Sequence, residues 1–295
     1  MPTLIDFRRR IRSVKNTQQI TRAMKFVAAA KLRRAQERAL AVRPYAQELR
    51  RVLQSAIARI ENPRFPLLAH RPEERILVIL LTGNKGLCGA FNTNVIRRTL
   101  EFFKEHKNLR VRAVPIGKKG RDSLRKKRVE IAYEYINLPA HAEFSQAKEI
   151  ASRIIEEFSS NEVDAVYVIY NEFKSVLAQR LMVERLLPIQ PGQLGNEESS
   201  ETGKGKGDSL VDYIYEEPPT QIFSKLLPRY VEIQLFRVLL ESTAAEHAAR
   251  MTAMDSATNN ASELIDQLTL HMNKVRQAAI TKEIIEVVSG AISTD

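Results

Sequence analysis

The two ends of this 295-residue chain carry the longest regular apolar patterns in the sequence. From Leu4 to Ile60, apolar residues recur at alternating spacings of three and four, which is the heptad register of a coiled-coil seam. The same register runs from Leu240 to Ala279. The polar interruptions of the two seams are Gln18, Thr21, Lys25, His247 and Thr258. The pattern predicts a long helix at each end, with an apolar stripe that another helix must cover.

Helix-breaking residues are nearly absent from both tracts. Pro44 is the only proline in residues 3–62, no glycine precedes Gly83, and residues 229–289 contain neither proline nor glycine. A helix of about 60 residues would be about 90 Å long. Because the tracts are similar in length and flank one middle region, we expect them to pair as an antiparallel coiled coil and to form a rod.

The middle of the chain has the alternating pattern of an α/β domain. Unbroken apolar runs predict buried strands, helical patterns lie between them, and one more run predicts a strand at the sheet edge. The predicted strands are residues 76–81, 111–116, 163–170 and 176–187, and the predicted helices are residues 92–106 and 145–158. The expected fold is therefore mixed α+β and α/β. A central Rossmann-like domain with a small, mostly parallel sheet accompanies the terminal coiled coil.

Changes in composition divide the chain into three parts. We expect an N-terminal coiled-coil helix in residues 1–62, a central α/β domain in residues 63–228, and a C-terminal coiled-coil helix in residues 229–295. Within the central part, residues 190–209 are rich in Gly, Ser, Glu and Lys and predict a mobile loop.

The net charge of +11 arises in the first helix, since residues 1–60 hold fifteen Lys or Arg and only three acidic residues. A basic helix suggests an acidic partner, and a coiled-coil nucleic-acid binder is the alternative function. Aromatic residues that stack on bases are scarce there, because only Phe7, Phe26 and Tyr45 occur. Nucleic acid is therefore disfavoured as the partner.

No cluster of residues has the spacing of a catalytic centre or a metal site. The five histidines are scattered, and we interpret the single cysteine, Cys88, as a small buried apolar residue. We expect no catalytic residue, no metal and no cofactor. The single cysteine fits a reducing cytoplasm.

Residues 82–90 follow a strand and precede a helix, where backbone N–H groups can bind phosphate. They lack the Gly-Lys-Ser/Thr of a P-loop. We interpret them as a tight turn whose glycines allow close packing, and residues 117–120 as a solvated turn. A nucleotide-dependent enzyme is the remaining alternative.

Three segments of the chain are specific enough to carry a family resemblance. They are IRSVKNTQQITRAMKFVAAAKLRR (residues 11–34), GLCGAFN (86–92), and residues 241–290, which include EHAARMTAMDSATNNASELIDQLTL and RQAAITKEIIEVVSG. In these segments the chain resembles the gamma subunits of rotary F-type ATP synthases.

The resemblance implies the central-stalk rotor of a proton-translocating ATP synthase, present in one copy. The expected partners are the alpha and beta subunits of the F1 hexamer, the epsilon subunit and the c-ring of Fo. The complex would lie at the cytoplasmic face of the bacterial plasma membrane, and this subunit itself would not be catalytic.

The resemblance also implies which residues contact each partner. The beta-subunit contacts would be Met24, Lys25, Arg276, Gln277 and Thr281. The apolar tip that turns in a bearing would be Ile284, Ile285, Val287 and Val288. The part facing the c-ring and epsilon would contain Asp212, Tyr213 and Tyr215. The chain departs from the usual family pattern at Gly83, Asn84 and Lys85, where many members carry an acidic residue.

Overall fold

The structure, a computed structural model, describes residues 3–57, 65–136, 143–176, 178–190 and 218–292. The predicted loop of residues 190–209 therefore lies, apart from Gln190, outside the described residues. The elements in chain order are α1 (Leu4–Ile57), β1 (Arg75–Leu81), α2 (Phe91–Glu105), β2 (Arg110–Ile116), α3 (Lys118–Lys126), α4 (Phe144–Ser159), β3 (Ala165–Phe173), β4 (Gln179–Leu187) and α5 (Pro219–Ile292). A 3-10 turn at Pro66–Leu68 precedes β1.

The chain divides into two compact units. Met1–Ala29 and Arg250–Asp295 form the first, called here the paired-helix unit, and Ala30–Ala249 form the second, called the α/β unit. The long terminal helices and the mixed sheet confirm the predicted fold class.

Helix α5 begins at Pro219, earlier than the expected start at residue 229, and Pro228 lies inside it. Proline suits the first turn of a helix, but an interior proline removes one backbone hydrogen bond. Phe223, Leu227 and Val231 are buried around Pro228. Their burial outweighs the lost bond, and the prolines that looked like a boundary in the sequence do not end the helix.

The sheet has four strands in the order β2-β1-β3-β4. Strand β1 pairs in parallel with both β2 and β3, and β4 pairs antiparallel with β3 at the edge. This arrangement confirms the predicted mostly parallel sheet and its edge strand. Because β1 is central and apolar on both faces, helices must cover both sides of the sheet.

The two faces of β1 belong to two separate apolar cores. Ile76, Val78 and Leu80 pack in a core with residues of α2 and α3, among them Phe102 and Leu124. The alternate residues of β1 face the other core, which contains apolar residues of α1, α4 and α5 and is the larger one; it includes Leu53, Leu77, Ile79, Ile154, Phe158, Val231 and Leu235.

The expectation of a solvated turn at residues 117–120 was wrong, because helix α3 begins at Lys118. The segment is too polar to show an apolar period, since Gly120 and Leu124 are its only buried residues. Gly117 precedes the helix with a φ of 100°, and a Cβ atom there would lie 2.0 Å from the carbonyl oxygen of Thr82. A glycine is required at this position for both reasons.

Asp164 joins the starts of β1 and β3. Its carboxylate accepts hydrogen bonds from the backbone N–H of Arg75 at 2.9 Å and from the Arg75 guanidinium at 2.7 and 3.1 Å. Its side chain is only 4% exposed. These donors, led by the guanidinium, hold the pKa of Asp164 below its usual range.

We predict that Asp164→Asn lowers the free energy of unfolding by about 2 kcal/mol at pH 7, because a buried charged acceptor is lost. Because the pKa of Asp164 is lowered in the folded chain, its ionised carboxylate stabilises the fold fully above the ordinary aspartate pKa of about 3.9. This stabilisation is lost as the pH falls through the lowered folded-state pKa. Urea unfolding from pH 7 to pH 3 measures both effects. Asp122→Asn is the control, because Asp122 pairs with Arg121 at the surface, and it should cost clearly less than Asp164→Asn. Equal losses in the two variants would contradict the prediction.

Candidate functional site

In the paired-helix unit, α1 and α5 run antiparallel. The ring of Phe7 lies 5.2 Å from that of His271, and the hydroxyls of Thr21 and Thr258 lie 2.8 Å apart. Lys25 Nζ lies 2.6 Å from Asp255 Oδ1. Rising numbers on α1 therefore meet falling numbers on α5, which confirms the predicted antiparallel pair.

The predicted seam is the covered face of each helix in this unit. On α1, seam residues are buried or half-buried while most residues between them are exposed; the seam residues are Leu4, Phe7, Ile11, Val14, Gln18, Thr21, Lys25 and Ala28. On α5, the seam residues from Met251 to Ala279 are likewise buried or half-buried, and Met254 and Ala261 are the most buried. The heptad pattern thus identified the interhelical face.

Two polar seam residues of α1, Thr21 and Lys25, have polar partners on α5. The hydroxyls of Thr21 and Thr258 lie within hydrogen-bond distance of each other, and each is also within reach of a carbonyl of its own helix, that of Gln18 or of Met254. One helical turn along α1, Lys25 bonds Asp255. Two polar pairs in an apolar seam specify one register, since a shift would leave these groups without partners.

The residues predicted to contact the beta subunits fall into two regions. Met24 and Lys25 are half-buried, and Lys25 is engaged with Asp255. Arg276, Gln277 and Thr281 are exposed on α5, where the Thr281 hydroxyl donates to the Gln277 carbonyl at 3.0 Å. They lie roughly 20 residues beyond Asp255, or about 30 Å of helix. The two groups therefore do not form one site.

Of the predicted tip, Ile284 and Ile285 are 58% and 59% exposed, and Ile280 is 48% exposed. The side chains of Val287 and Val288 lie outside the described part of the chain. Asp212, Tyr213 and Tyr215 also lie outside the described residues, so their role in facing the c-ring and epsilon stays a prediction.

In the α/β unit, β2 lies on one side of β1 and β3 on the other, so the strand order reverses between the carboxyl ends of β1 and β3. Open α/β sheets bind ligands in the crevice at such a point. Here part of α5 lies against it: a Cβ atom on Gly83 would come within 2.9 Å of the Glu246 carboxylate. The Gly83 N–H is also bonded, to Asn92 Oδ1 at 2.8 Å. The prediction that this glycine allows close packing is confirmed.

Cys88 is 1% exposed and packs with Phe91 and Ala245 of α5, together with the half-buried Phe173 and Ala249. The interpretation of Cys88 as a small buried apolar residue is confirmed. Sequence reasoning did not find that the segment 245–249 of α5 packs against this turn. The sequence signal for this contact is that both segments carry small side chains: glycines in the turn and alanines in α5. Small side chains on both sides allow two backbones to approach closely.

Among the residues that the structure describes, no group of three or more His, Cys, Asp or Glu side chains is arranged to hold a metal ion. Within that same part of the chain, no helix combines the length and the apolar character that crossing a bilayer requires.

Comparison with known proteins shows the family of this chain. A family model described as ATP synthase matches residues 3–293. The ATP synthase gamma chain of Solibacter usitatus is 54% identical over 299 residues, covering 100% of both chains. That of Chloroherpeton thalassium is 48% identical over 297 residues, covering 99% of this chain and 98% of the relative.

Solved structures share the fold. A chain from the Euglena gracilis mitochondrial ATP synthase, in a complex of OSCP, F1 and c-ring, aligns with a TM-score of 0.67 at 21% identity, covering 99% of this chain and 94% of the other. A chain from the Tetrahymena thermophila central stalk and c-ring aligns with a TM-score of 0.60 at 22% identity, covering 81% and 99%. The chain therefore belongs to the gamma chains of the ATP synthase family.

We predict that Gly117→Ala lowers the free energy of unfolding by more than about 2 kcal/mol, because the added Cβ meets backbone and the φ of 100° is strained. Gly86→Ala is the matched control, since the nearest atom to its Cβ is Lys119 Cε at 3.8 Å. Chemical denaturation of both variants measures the difference. A Gly117→Ala variant as stable as Gly86→Ala would refute the steric argument.

We predict that the Lys25–Asp255 pair contributes about 0.5–1 kcal/mol of coupling, because both side chains are only partly exposed. A double-mutant cycle of Lys25→Ala, Asp255→Ala and the double variant measures this coupling free energy by unfolding at low salt. The same cycle at about 1 M salt should give a smaller value, because salt screens the two charges. Coupling near zero at low salt would remove this pair from the features that specify register.

Proposed function

We propose that this chain is the central-stalk rotor of a proton-translocating ATP synthase. The observation that carries the proposal is its similarity, over the full length of both chains, to an ATP synthase gamma chain at 54% identity. The solved structures that share its fold come from a rotor and a central stalk with c-ring. The alternative, a basic coiled-coil nucleic-acid binder, is not supported by these relatives.

The mechanism follows from the asymmetry of a two-helix shaft. A mechanical element shifts a conformational equilibrium only through contacts that differ between the states. The paired helices carry different side chains around their circumference, so each of three surrounding catalytic subunits meets a different surface. Turning the shaft changes which subunit is open or closed, and by linkage hydrolysis in those subunits turns the shaft.

The proposed partners are the alpha and beta subunits of the F1 hexamer, the epsilon subunit and the c-ring, with one copy of this chain in the complex. Exposed apolar side chains support a partner around the paired-helix unit: Ile5, Ile20, Phe26, Leu270, Ile280 and Ile284 are each at least 48% exposed. Such side chains on a soluble rod favour enclosure by another protein. The basic residues of α1 favour an acidic inner surface in that partner.

The chain itself is proposed to be non-catalytic and to work through contacts. Arg276, Gln277 and Thr281 would contact the beta subunits as one group, and Met24 and Lys25 as a second. Ile284, Ile285, Val287 and Val288 would form the bearing tip, and Asp212, Tyr213 and Tyr215 would face the c-ring and epsilon. The complex would lie at the cytoplasmic face of the bacterial plasma membrane.

The test is a reconstituted complex in vesicles, in which ATP hydrolysis and ATP-driven proton pumping are measured together. We predict that Arg276→Ala lowers the number of protons pumped per ATP hydrolysed at least twofold, because one charged contact with the beta subunits is lost. The stability of the isolated chain should change by less than about 0.5 kcal/mol, since Arg276 is exposed.

Lys282→Ala is the matched control, because Lys282 is also an exposed cation, two turns or less away, and pairs with Glu286 at 3.5 Å. It should leave pumping per ATP unchanged. Equal losses in the two variants would indicate a general charge effect and contradict a specific role for Arg276. Failure of the wild-type chain to assemble with alpha and beta subunits would refute the rotor function.

A further inference from the structure

The α/β unit contains a polar cleft of about 650 Å³ between α1, the β3–β4 pair and α5. Charged side chains from all four elements line it. They are Arg50 of α1, Glu172 and Lys174 at the end of β3, Arg180, Glu184 and Arg185 of β4, and Arg237 and Glu241 of α5. None of these residues has been given a role above.

Arg237 is the centre of a hydrogen-bonded network in this cleft. Its guanidinium donates to Gln234, to Glu241 Oε1 at 3.2 Å and to Glu184 Oε2 at 3.0 Å. The other oxygen of Glu184 accepts from the hydroxyl of the buried Tyr170 at 2.9 Å. Both oxygens of Glu184 therefore accept a hydrogen bond.

Glu172 and Glu241 differ from Glu184, because each has one oxygen without a donor. Glu172 Oε2 and Glu241 Oε2 are buried and accept no hydrogen bond. The remaining oxygen of Glu172 lies 3.4 Å from Lys174 Nζ. A buried, ionised oxygen without a donor costs several kcal/mol, so two of them in one cleft require an explanation.

The charged contacts of Glu241 are shared with a neighbour. Arg237 is in direct contact with both Glu184 and Glu241, so one cation serves two carboxylates, while Glu172 pairs with the exposed Lys174. Of the other cations that line the cleft, Arg185 pairs with Glu73, Arg180 is exposed, and Arg50 hydrogen-bonds Tyr230 and has a buried Nε without a partner.

We propose that the Glu241 carboxyl holds a proton in the folded chain, and that this proton makes the contact between strand β3 and helix α5 sensitive to pH. The proton neutralises the buried Glu241 oxygen that accepts no hydrogen bond. When the proton leaves, an ionised carboxylate without a second donor is buried where α5 packs on the sheet.

The electrostatics of Glu241 support this assignment. Burial raises the pKa of Glu241, and the nearby Glu172 raises it further, while Arg237 opposes both. A raised folded-state pKa means that the folded chain holds a proton which the unfolded chain has released. The stabilisation is complete below the ordinary glutamate pKa of about 4.3 and is lost as the pH rises through the raised value.

The experiment is urea unfolding of the full chain between pH 5 and pH 9. For the wild type, the unfolding equilibrium constant should rise by up to tenfold per pH unit while the folded chain holds the proton and the unfolded chain does not, and should level off above the raised pKa of Glu241. Glu241→Gln keeps the shape of the side chain and the neutral state that the proton gives it. We expect it to remove this rise and to be more stable than the wild type at the upper end of the range.

Glu184→Gln is the matched control in the same network. Because both Glu184 oxygens accept hydrogen bonds, its neutralisation should destabilise the chain at every pH and leave the wild-type slope in place. A Glu241→Gln variant that behaves like Glu184→Gln would overturn the proposal, as would an unchanged slope. The carboxylic-acid C=O band of the wild type should also be absent from the infrared spectrum of Glu241→Gln. This test is independent of assembly with other subunits, so its outcome is separate from that of the rotor proposal.

Discussion

Burial of two apolar stripes against each other is the interaction on which the paired-helix unit depends. Neither helix can leave its stripe in water, and an isolated helix gains little stability from its own hydrogen bonds. The seams are rich in alanine, which lets two backbones approach closely. Since apolar contacts are nearly indifferent to sliding by one turn, the Thr21–Thr258 and Lys25–Asp255 pairs supply the specificity that alanine cannot.

Helix α5 is buried differently in the two units. In residues 250–286 one face is covered and most of the others are exposed, as suits a two-helix pair. In residues 230–248 nearly every side chain is buried or half-buried, because the helix lies in the larger core and against the turn after β1. The α/β unit therefore holds α5 at the crevice where related sheets hold a ligand. In this fold a helix occupies the crevice that binds small molecules in other open α/β sheets. This agrees with the absence of a phosphate-binding motif in the sequence and with a role in transmitting force.

Prediction from sequence succeeded where one period dominates a long segment. Every heptad seam position of α1 from Leu4 to Leu53 is buried or half-buried, and the apolar runs located β1, β2 and β3. It failed at α3, whose nine residues are mostly charged, and at the start of α5, which begins at Pro219 and continues through Pro228. In both cases packing against the sheet decided the local conformation, and packing is not visible in a local pattern.

The candidate contact residues show the same division. Their exposure on α5 follows from the heptad register, so Arg276 and Gln277 could be placed outside the seam from the sequence alone. The engagement of Lys25 with Asp255, the position of Glu246 against Gly83 and the cluster around Arg237 could not, because each joins residues far apart in the chain. The sequence by itself determined the helices, the strands and the faces that must be covered, since these depend on spacing between near neighbours. Only the tertiary structure decided which polar groups meet and which are left without a partner, because that depends on the register between elements and not on the period within one.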